Sequence, residues 1–150
     1  MFSFRLRRPK SYVLVVLQLL TVGYLLISGP FITSHWSLLL FQVASLGLGI
    51  WAVLIMRTSK FNVSPEIKEG AHLVESGIYA YIRHPMYTAV LLFSIALVIN
   101  AFSWVRLGVL VTLTVVLVIK LKHEEQMLRD EFTGYQAYMQ RTWRLIPWLF

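Results

Sequence analysis

Long apolar segments separated by short polar joins dominate the chain. The first two apolar runs lie at about residues 12–32 and 36–56, and neither contains an Asp, Glu, Lys or Arg. Each run approaches the roughly 20 apolar residues that an α-helix needs to cross a bilayer. The join between them is short and contains Gly29 and Pro30, which favour a turn. We therefore expect two membrane-spanning helices that are antiparallel neighbours.

Two shorter apolar segments follow, at about residues 85–100 and 104–119. At about 1.5 Å per residue, such segments reach only about 24 Å, which is less than the hydrocarbon thickness of about 30 Å. Snorkelling side chains or local thinning of the bilayer can close this difference. The last helix is expected to continue beyond the membrane as far as Gly134. The reason is a stripe of residues at spacings of four and three, formed by Leu121, Glu125, Leu128, Phe132 and Tyr135.

The composition agrees with a membrane protein. Of 150 residues, 57% are hydrophobic and 14% are charged, and the mean hydropathy is +0.67. This leaves too little polar surface to cover a soluble globule. The predicted fold is an all-α polytopic membrane protein with about four spans in a single domain, residues 1–150. The lack of Cys excludes disulfides and a Cys nucleophile, and four His without a fixed ligand spacing predict no metal site.

The net charge of +7 indicates membrane topology rather than nucleic-acid binding. Basic residues cluster at the ends of the apolar runs, at Arg5, Arg7, Arg8, Lys10, Arg57, Lys60, Lys120 and Lys122. Loops rich in Lys and Arg face the cytoplasm and attract anionic lipid headgroups. If the N-terminus is cytoplasmic, four spans return the C-terminus there, and among the Lys and Arg residues only Arg106 lies on the far side. The sequence therefore predicts a protein of the inner or plasma membrane with both termini in the cytoplasm. Its partners would be membrane lipids and not nucleic acid.

A polar stretch at residues 70–87 separates the two apolar pairs and contains Arg83-His84-Pro85. A proline in the first turn of a helix costs no hydrogen bond, so the third span is expected to begin there. With a short turn between the last two spans, an antiparallel pair brings His84 level with the KLKHEE segment at residues 120–125. The pattern thus predicts a site at the cytoplasmic membrane surface, built from two segments that are distant in sequence.

Each polar residue also has an ordinary structural explanation. Arg83 is suited to snorkel, and Glu124 can pair with Lys120 one turn away. Gln18 and Gln42, in the first two apolar runs, are expected to form hydrogen bonds between helices. An Arg, a His, a Tyr and two acids clustered at a lipid-facing opening, however, meet no structural need. This combination favours a functional site.

The same residues carry a family resemblance. The upstream motif is Leu73-Val74-x-Ser76-Gly77-x-Tyr79-x-x-x-Arg83-His84-Pro85-x-Tyr87, and the downstream motif is Glu124-Glu125-x-x-Leu128-x-x-x-Phe132, followed by Tyr135, Tyr138 and Pro147. With a pair of spans between these motifs, the chain resembles the isoprenylcysteine carboxyl methyltransferase family. That family belongs to a wider group that includes phospholipid N-methyltransferases. The resemblance covers about residues 61–150, which would form the catalytic part.

The resemblance implies a methyltransferase with S-adenosylmethionine as cofactor. It also implies a lipophilic acceptor, such as an isoprenylcysteine-type carboxylate or a related lipid. The residues at the family's cofactor positions are His72, Leu73, Val74, Tyr79, His84, Pro85, Met86, Tyr87 and Glu124, and those expected on the acceptor side are Lys120, Arg83 and Glu125. A carboxylate acceptor is already ionised near neutral pH, so no residue is assigned as a catalytic acid or base. A carboxylate and aromatic faces attract a sulfonium, which agrees with Glu124 and Tyr79 at this site.

Departures from the family pattern leave the acceptor open. Ala89 replaces a glycine that follows the upstream motif, and Lys120 replaces an arginine at the position facing the acceptor. Lys cannot form the planar two-pronged clamp that Arg makes on a carboxylate, so a lipid amine, a thiol or another isoprenoid acid is also compatible. Two other functions are weighed. One is a sterol-type membrane reductase that uses NADPH, which is disfavoured because such reductases have Arg-Asp where this chain has Glu124-Glu125. The other is a non-catalytic membrane scaffold.

Overall fold

A computed structural model of the protein describes residues 8–33, 35–58 and 73–148. Within these ranges the chain is helical and forms no β-strand, which confirms the all-α prediction. The α-helices are α1 (Arg8–Ile27), α2 (Trp36–Thr58), α3 (Pro85–Asn100), α4 (Trp104–Glu131) and α5 (Tyr135–Gln140), and a single 3₁₀ turn, Gly77–Ala80, precedes α3.

Two of these helices are long and apolar enough to cross a membrane. They are α2, over Trp36–Arg57, and α4, over Trp104–Glu131. Two further apolar helices are shorter, Tyr12–Ile27 in α1 and Pro85–Asn100 in α3. The prediction for α3 matches the structure at both ends, because Pro85 occupies a first-turn position where its missing N–H is not needed.

Two predicted helix ends differ from the structure. α1 ends at Ile27 rather than near residue 32, because Pro30 lacks an N–H and disfavours a helical conformation at Gly29. α4 continues beyond the apolar run as predicted, but it ends at Glu131, where Phe132 turns to an extended conformation. Gly134 therefore does not terminate α4. It stands at the start of α5 instead.

Helix α3 lies at the centre of the bundle. α2 packs along α3, while α1 and α4 pack against each other and against α3. The prediction that α1 and α2 are packed neighbours is wrong, because their join crosses the end of α3. Asn100 Nδ2 donates to Pro30 O at 3.0 Å, and Phe31 lies against Phe93 with ring centroids 5.9 Å apart. Gln42 Nε2 donates to the carbonyl of Phe31 at 3.1 Å, so it holds this crossing join rather than a facing helix.

The core lies where α1, α3 and α4 meet. Its buried residues are Leu25, Leu91, Leu97, Val98, Leu113 and Leu117. On the other side of α3, Gly49 of α2 faces Ala89, and a Cβ on Gly49 would lie 3.3 Å from the Ala89 Cβ. The family pattern has a glycine at the position of Ala89 on α3. Here the glycine at this contact is Gly49, on the helix that packs against α3.

A buried arginine ties together the end of the bundle opposite the start of α3. Arg106, in the first turn of α4, is 3% exposed. Its guanidinium donates to Leu25 O at 3.2 Å and to Leu97 O at 2.6 Å, and also to the Ser28 hydroxyl. These carbonyls belong to the last turns of α1 and α3, where unpaired carbonyls concentrate negative charge. The two helix ends therefore compensate Arg106, which is the one Lys or Arg that the predicted topology places on that side.

Candidate functional site

One side of the site is formed by residues 77–84, here called the wall. The wall begins at a glycine with a left-handed backbone. Gly77 has φ +59°, and a Cβ at this position would clash with the Cδ1 atom of Ile55 in α2. The 3₁₀ turn that begins at Gly77 therefore lies close against α2 and presents Tyr79 to the interior. The Tyr79 hydroxyl donates to Ala52 O at 3.4 Å, and the Tyr79 carbonyl accepts from the Tyr138 hydroxyl at 2.7 Å.

The C-terminal segment, residues 141–148, forms backbone hydrogen bonds with the wall. Ile82 and Trp143 form an isolated parallel bridge. Arg83 N donates to Trp143 O at 2.7 Å, and His84 N donates to Arg144 O at 3.1 Å. Sequence reasoning missed this pairing, because one bridge lacks the alternating pattern that marks a strand.

Glu125 forms the buried centre of an ionic network. Its carboxylate is 1% exposed and accepts from Arg83 Nε at 2.9 Å and from Arg144 Nε at 3.1 Å. His84 Nε2 lies 3.6 Å from the same carboxylate, and the more exposed Arg129 lies 3.8 Å away. Four cationic or potentially cationic groups thus surround a single buried acid. This acid connects α4 to the wall and to the C-terminal segment.

Arg83 also caps the last short helix. Its Nη1 donates to Met139 O at 3.0 Å and to Thr142 Oγ1 at 3.1 Å, and it contacts the Thr142 carbonyl as well. A cation at the end of a helix satisfies carbonyls that have no partner within the helix. Both Arg83 and Glu125, expected on the acceptor side, therefore use their side chains to hold α5 and the C-terminal segment in place.

A second acidic group, Glu124, faces a different set of partners. It accepts a hydrogen bond from the Tyr87 hydroxyl, and its other oxygen lies 3.7 Å from His84 Nδ1. The His84 ring stacks on Tyr87 with centroids 5.5 Å apart and planes 6° apart. Lys120 Nζ lies 4.9 Å above the centroid of the Tyr87 ring and donates to Gln18 Oε1 at 3.0 Å. The predicted hydrogen bond between helices is thus present at Gln18, with Lys120 as its partner.

These groups surround a cavity that opens at the end of the bundle where α3 begins. Its empty volume is about 460 Å³, including space open to solvent. It is lined by Met56, Leu73, Val74, Tyr79, Arg83, His84, Glu124, Leu128, Tyr135 and Tyr138. Met56 of α2, Leu128 of α4, and Tyr135 and Tyr138 of α5 line the cavity but were not among the predicted site residues. Met56 and Leu128 are apolar residues near the ends of their helices, and only the folded arrangement shows that they face the cavity.

The other predicted site residues in the described ranges do not line this cavity. Pro85 is buried at the start of α3, followed by the half-buried Met86 and Tyr87. Lys120 lies one helical turn before Glu124, in the direction of the apolar part of α4. His72 is outside the described residues.

The tyrosine hydroxyls of the cavity are held in the neutral form. Burial, together with the charge of Glu124, raises the pKa of Tyr79 to about 12. Burial likewise raises the pKa of Tyr138 above its ordinary value. Both hydroxyls therefore remain hydrogen-bond donors at neutral pH, and Glu124 is the acidic residue that lines the cavity within the described ranges.

Comparison with known proteins identifies the family. The profile of the isoprenylcysteine carboxyl methyltransferase family matches residues 37–130, whereas a search of curated proteins finds no match. The matched range begins earlier than the predicted resemblance and takes in α2, the 3₁₀ turn, α3 and nearly all of α4. It covers well over half of the chain and confirms the predicted resemblance. The chain belongs to the isoprenylcysteine carboxyl methyltransferase family.

Proposed function

We propose that this protein is an S-adenosylmethionine-dependent methyltransferase that acts on a lipophilic acceptor at the cytoplasmic surface of a membrane. Family membership implies methyl transfer. One observation carries the proposal to this site: the cavity is lined by the partly exposed carboxylate of Glu124, the aromatic ring of Tyr79 and the buried imidazole of His84. A carboxylate and aromatic faces are the groups that attract a sulfonium.

The residues present fit the cofactor. The cavity is lined by an acidic side chain, aromatic rings and several apolar side chains, the kinds of group that line small-molecule sites. The Glu124 carboxylate, 35% exposed, can attract the cationic groups of the cofactor. Leu73 and Val74 supply apolar contact, and Tyr79 supplies an aromatic face. When bound, S-adenosylmethionine supplies a methyl group activated by a neighbouring sulfonium.

The predicted residues divide into those that contact the cofactor and those that hold the site. Leu73, Val74, Tyr79, His84 and Glu124 form the contact group, to which His72 belongs by its place in the sequence. Tyr87 orients Glu124 through its hydroxyl and stacks on His84. Pro85 and Met86 begin α3 and fix the position of His84. Arg83 and Glu125 position the wall through their buried ion pair.

Positioning supplies most of the catalysis in this proposal. A carboxylate acceptor needs no general base, because it is ionised near neutral pH. The protein must therefore align the acceptor with the methyl group and exclude water, and well-oriented alignment can contribute up to about 7–11 kcal/mol. The rigid wall formed by Gly77, Tyr79 and the Arg83–Glu125 pair is suited to this task.

We propose that the chain forms a single domain with four membrane spans and that both termini lie in the cytoplasm. We also propose that it resides in the inner or plasma membrane of the cell. α2 and α4 have the length of spans, and the shorter apolar helices α1 and α3 would cross the membrane as short spans. Basic side chains at the site end include Arg57, Arg83, Lys120, Lys122, Arg129, Arg141 and Arg144, whereas Arg106 alone lies in the first turn of α4 at the other end. The positive-inside rule then directs the cavity to the cytoplasm. Residues 61–150 form the catalytic part, to which α2 contributes Met56.

Calorimetry on detergent-purified protein tests the proposal. We expect S-adenosylhomocysteine to bind with a Kd in about the micromolar range, as is usual for cofactors and substrates. Glu124→Ala and His84→Ala should abolish this binding. Glu131→Ala, which removes an exposed acid from the same helix, should not. Binding of NADPH instead would favour the reductase, and retention of full binding by both site variants would favour another site.

A further inference from the structure

Three of the four apolar helices have equally short apolar segments. The segments of α1 and α3 are Tyr12–Ile27 and Pro85–Asn100, and the one on α4 ahead of Lys120 covers residues 104–119. The α3 segment has 16 residues, as have the other two, which gives a height of about 24 Å. The apolar segment of α2, Trp36–Arg57, has 22 residues and reaches about 33 Å. A hydrocarbon core of about 30 Å therefore matches α2 but exceeds the other three helices.

Arg106 holds the three short helices level at the end away from the cavity. From the first turn of α4, its guanidinium donates to Leu25 O at 3.2 Å and to Leu97 O at 2.6 Å. These acceptors belong to the last turns of α1 and α3. The connections after both turns are not helical, and lipid does not tolerate irregular backbone. The three short helices therefore meet the edge of the hydrocarbon at one level and cannot be offset to cover a thicker core.

Lys120 connects the same three helices at the cavity end. Its Nζ donates to Gln18 Oε1 of α1 at 3.0 Å and lies 4.9 Å from the centroid of the Tyr87 ring of α3. Side chains on a helix lean toward its N-terminus, so this ammonium group leans toward the Arg106 end of α4. Gln18 agrees with this direction, because it lies six residues inside the apolar segment of α1 that begins at Tyr12.

The direction of Lys120 excludes the usual relief for a short span. A snorkelling lysine extends its stem through lipid and places its charge in the headgroup region. Lys120 instead directs its charge along the apolar segment of α1, so it shortens the uncharged height on this side. Tilting a short helix reduces its height further and helps only a long helix such as α2. Thinning of the adjacent bilayer is the accommodation that these contacts leave for an exposed helix face.

We propose that the α1–α4 side of the protein thins the bilayer beside it to about 24 Å, whereas the α2 side meets a core of ordinary thickness. The two sides are distinct, because α2 packs on α3 while α1 packs on α4. The inference rests on the proposed four-span topology and adds the kind of lipid partner, phospholipids whose short acyl chains form a thin core. The thinned margin adjoins the cavity, since Lys120 precedes Glu124 by one turn of α4.

Spin labels at matched positions measure the height of the hydrocarbon on each side. The chain has no Cys, so single substitutions can be labelled without a background. Val105→Cys and Ile119→Cys lie at the two ends of the α4 segment, and Leu40→Cys and Leu54→Cys have the same spacing on α2; all four side chains are exposed. In dioleoylphosphatidylcholine vesicles, we expect the α4 labels to collide mainly with a water-soluble nickel complex and the α2 labels mainly with oxygen, which concentrates in hydrocarbon.

Three results would overturn the proposal. One is α4 labels that are as accessible to oxygen as the α2 labels, which would mean equal thickness on both sides. Another is α4 labels shielded from both reagents, which would mean that a second copy covers this face instead of lipid. The third is access of the nickel complex to all four labels, which would refute the assignment of spans as well.

A series of lipids with increasing chain length provides an independent test. The melting temperature is measured in nanodiscs of dimyristoleoyl-, dioleoyl- and dierucoylphosphatidylcholine. We expect the wild type to be most stable in the thinnest bilayer and to lose about 5 °C or more in the thickest. Lys120→Met removes the inward charge and should move the optimum to longer chains. Lys122→Met, at an exposed lysine of the same helix, is the control and should keep the wild-type optimum.

A wild-type optimum at dioleoyl chains or longer, or an equal shift in both lysine variants, would contradict the proposal. If Lys120→Met does not fold, the labels and the wild-type series decide. S-adenosylhomocysteine binding in the same nanodiscs separates this failure from failure of the proposed function. A wild type that binds S-adenosylhomocysteine and is equally stable in all three lipids refutes the thinning alone. Absence of binding in every lipid refutes the methyltransferase, while the spin labels still decide whether the bilayer is thinned.

Discussion

Substitution of Gly77 by Ala tests how the wall of the cavity is built. An L-residue in the left-handed region costs about 1–2 kcal/mol, and φ at Gly77 is +59°. The new Cβ would also clash with Ile55 Cδ1. Overpacking costs about 1–3 kcal/mol, and the lower end applies because Cδ1 is the tip of a side chain that can rotate. We therefore expect Gly77→Ala to lower the free energy of unfolding by about 2–3 kcal/mol.

A double-mutant cycle separates the two contributions. Ile55→Val removes Cδ1 and on its own should cost about 0.5–1.5 kcal/mol. In the double variant the clash is absent and only the backbone term remains, so the loss should be smaller than the sum of the single losses by about 1 kcal/mol. Denaturant unfolding in detergent, followed by Trp fluorescence, measures all four proteins.

The control for this cycle is Gly108→Ala. Gly108 lies within α4, and nothing comes within 4 Å of a Cβ built there. Alanine is the better helix former, so this variant should be as stable as the wild type or more stable. A Gly77→Ala variant within about 0.5 kcal/mol of the wild type would refute the steric and backbone explanation. Strict additivity of the two substitutions would refute the contact with Ile55.

Three further predictions concern charged and titrating groups. Glu125→Gln should lower the free energy of unfolding by about 3 kcal/mol, because removing one partner of a buried ion pair leaves Arg83 uncompensated; the exposed Glu131→Gln is the control in the same denaturation assay. Arg106→Leu should lower it by about 2–4 kcal/mol, because the Leu25 and Leu97 carbonyls lose their donor. Binding of S-adenosylhomocysteine at the opposite end should be unchanged, and a loss of affinity without unfolding would contradict this separation. The pKa of Tyr79 is raised from 10.0 to about 12, so folding favours the protonated form. Its contribution to stability is present below pH 10 and is lost as the pH rises from 10 to about 12. Tyr79→Phe should therefore show a shallower fall in melting temperature across this interval, and an unchanged slope would contradict the assignment.

Local chemistry made several features predictable. The bounds of α3 follow from Pro85 at its first position and from the short polar break after Asn100. The approach of His84 to Glu124 follows from the antiparallel arrangement of α3 and α4, because a short turn leaves few registers. The all-α class follows from the apolar runs, since a backbone in lipid must satisfy its own hydrogen bonds.

Other features depend on contacts that no local pattern records. The short join after α1 predicted adjacent packing of α1 and α2, yet a short join can also cross the end of a third helix. Asn100 and Gln42 hold it there, and neither residue signals this in the sequence. Likewise, Gln18 and Lys120 are separated by most of the chain, and only the packing of α1 on α4 brings them together.

The pairing of the wall with the C-terminal segment also means that the wall gains its last partners late in protein synthesis. Arg83 and His84 donate their backbone N–H groups to the carbonyls of Trp143 and Arg144, and Thr88 donates its hydroxyl to Leu145 O at 2.7 Å. The ribosome makes α1 to α4 before it reaches these acceptors. A nascent chain halted at the end of α4 thus contains the membrane helices and the cavity acids but lacks the partners that fix His84. The position of His84 is therefore fixed only in the final stage of translation.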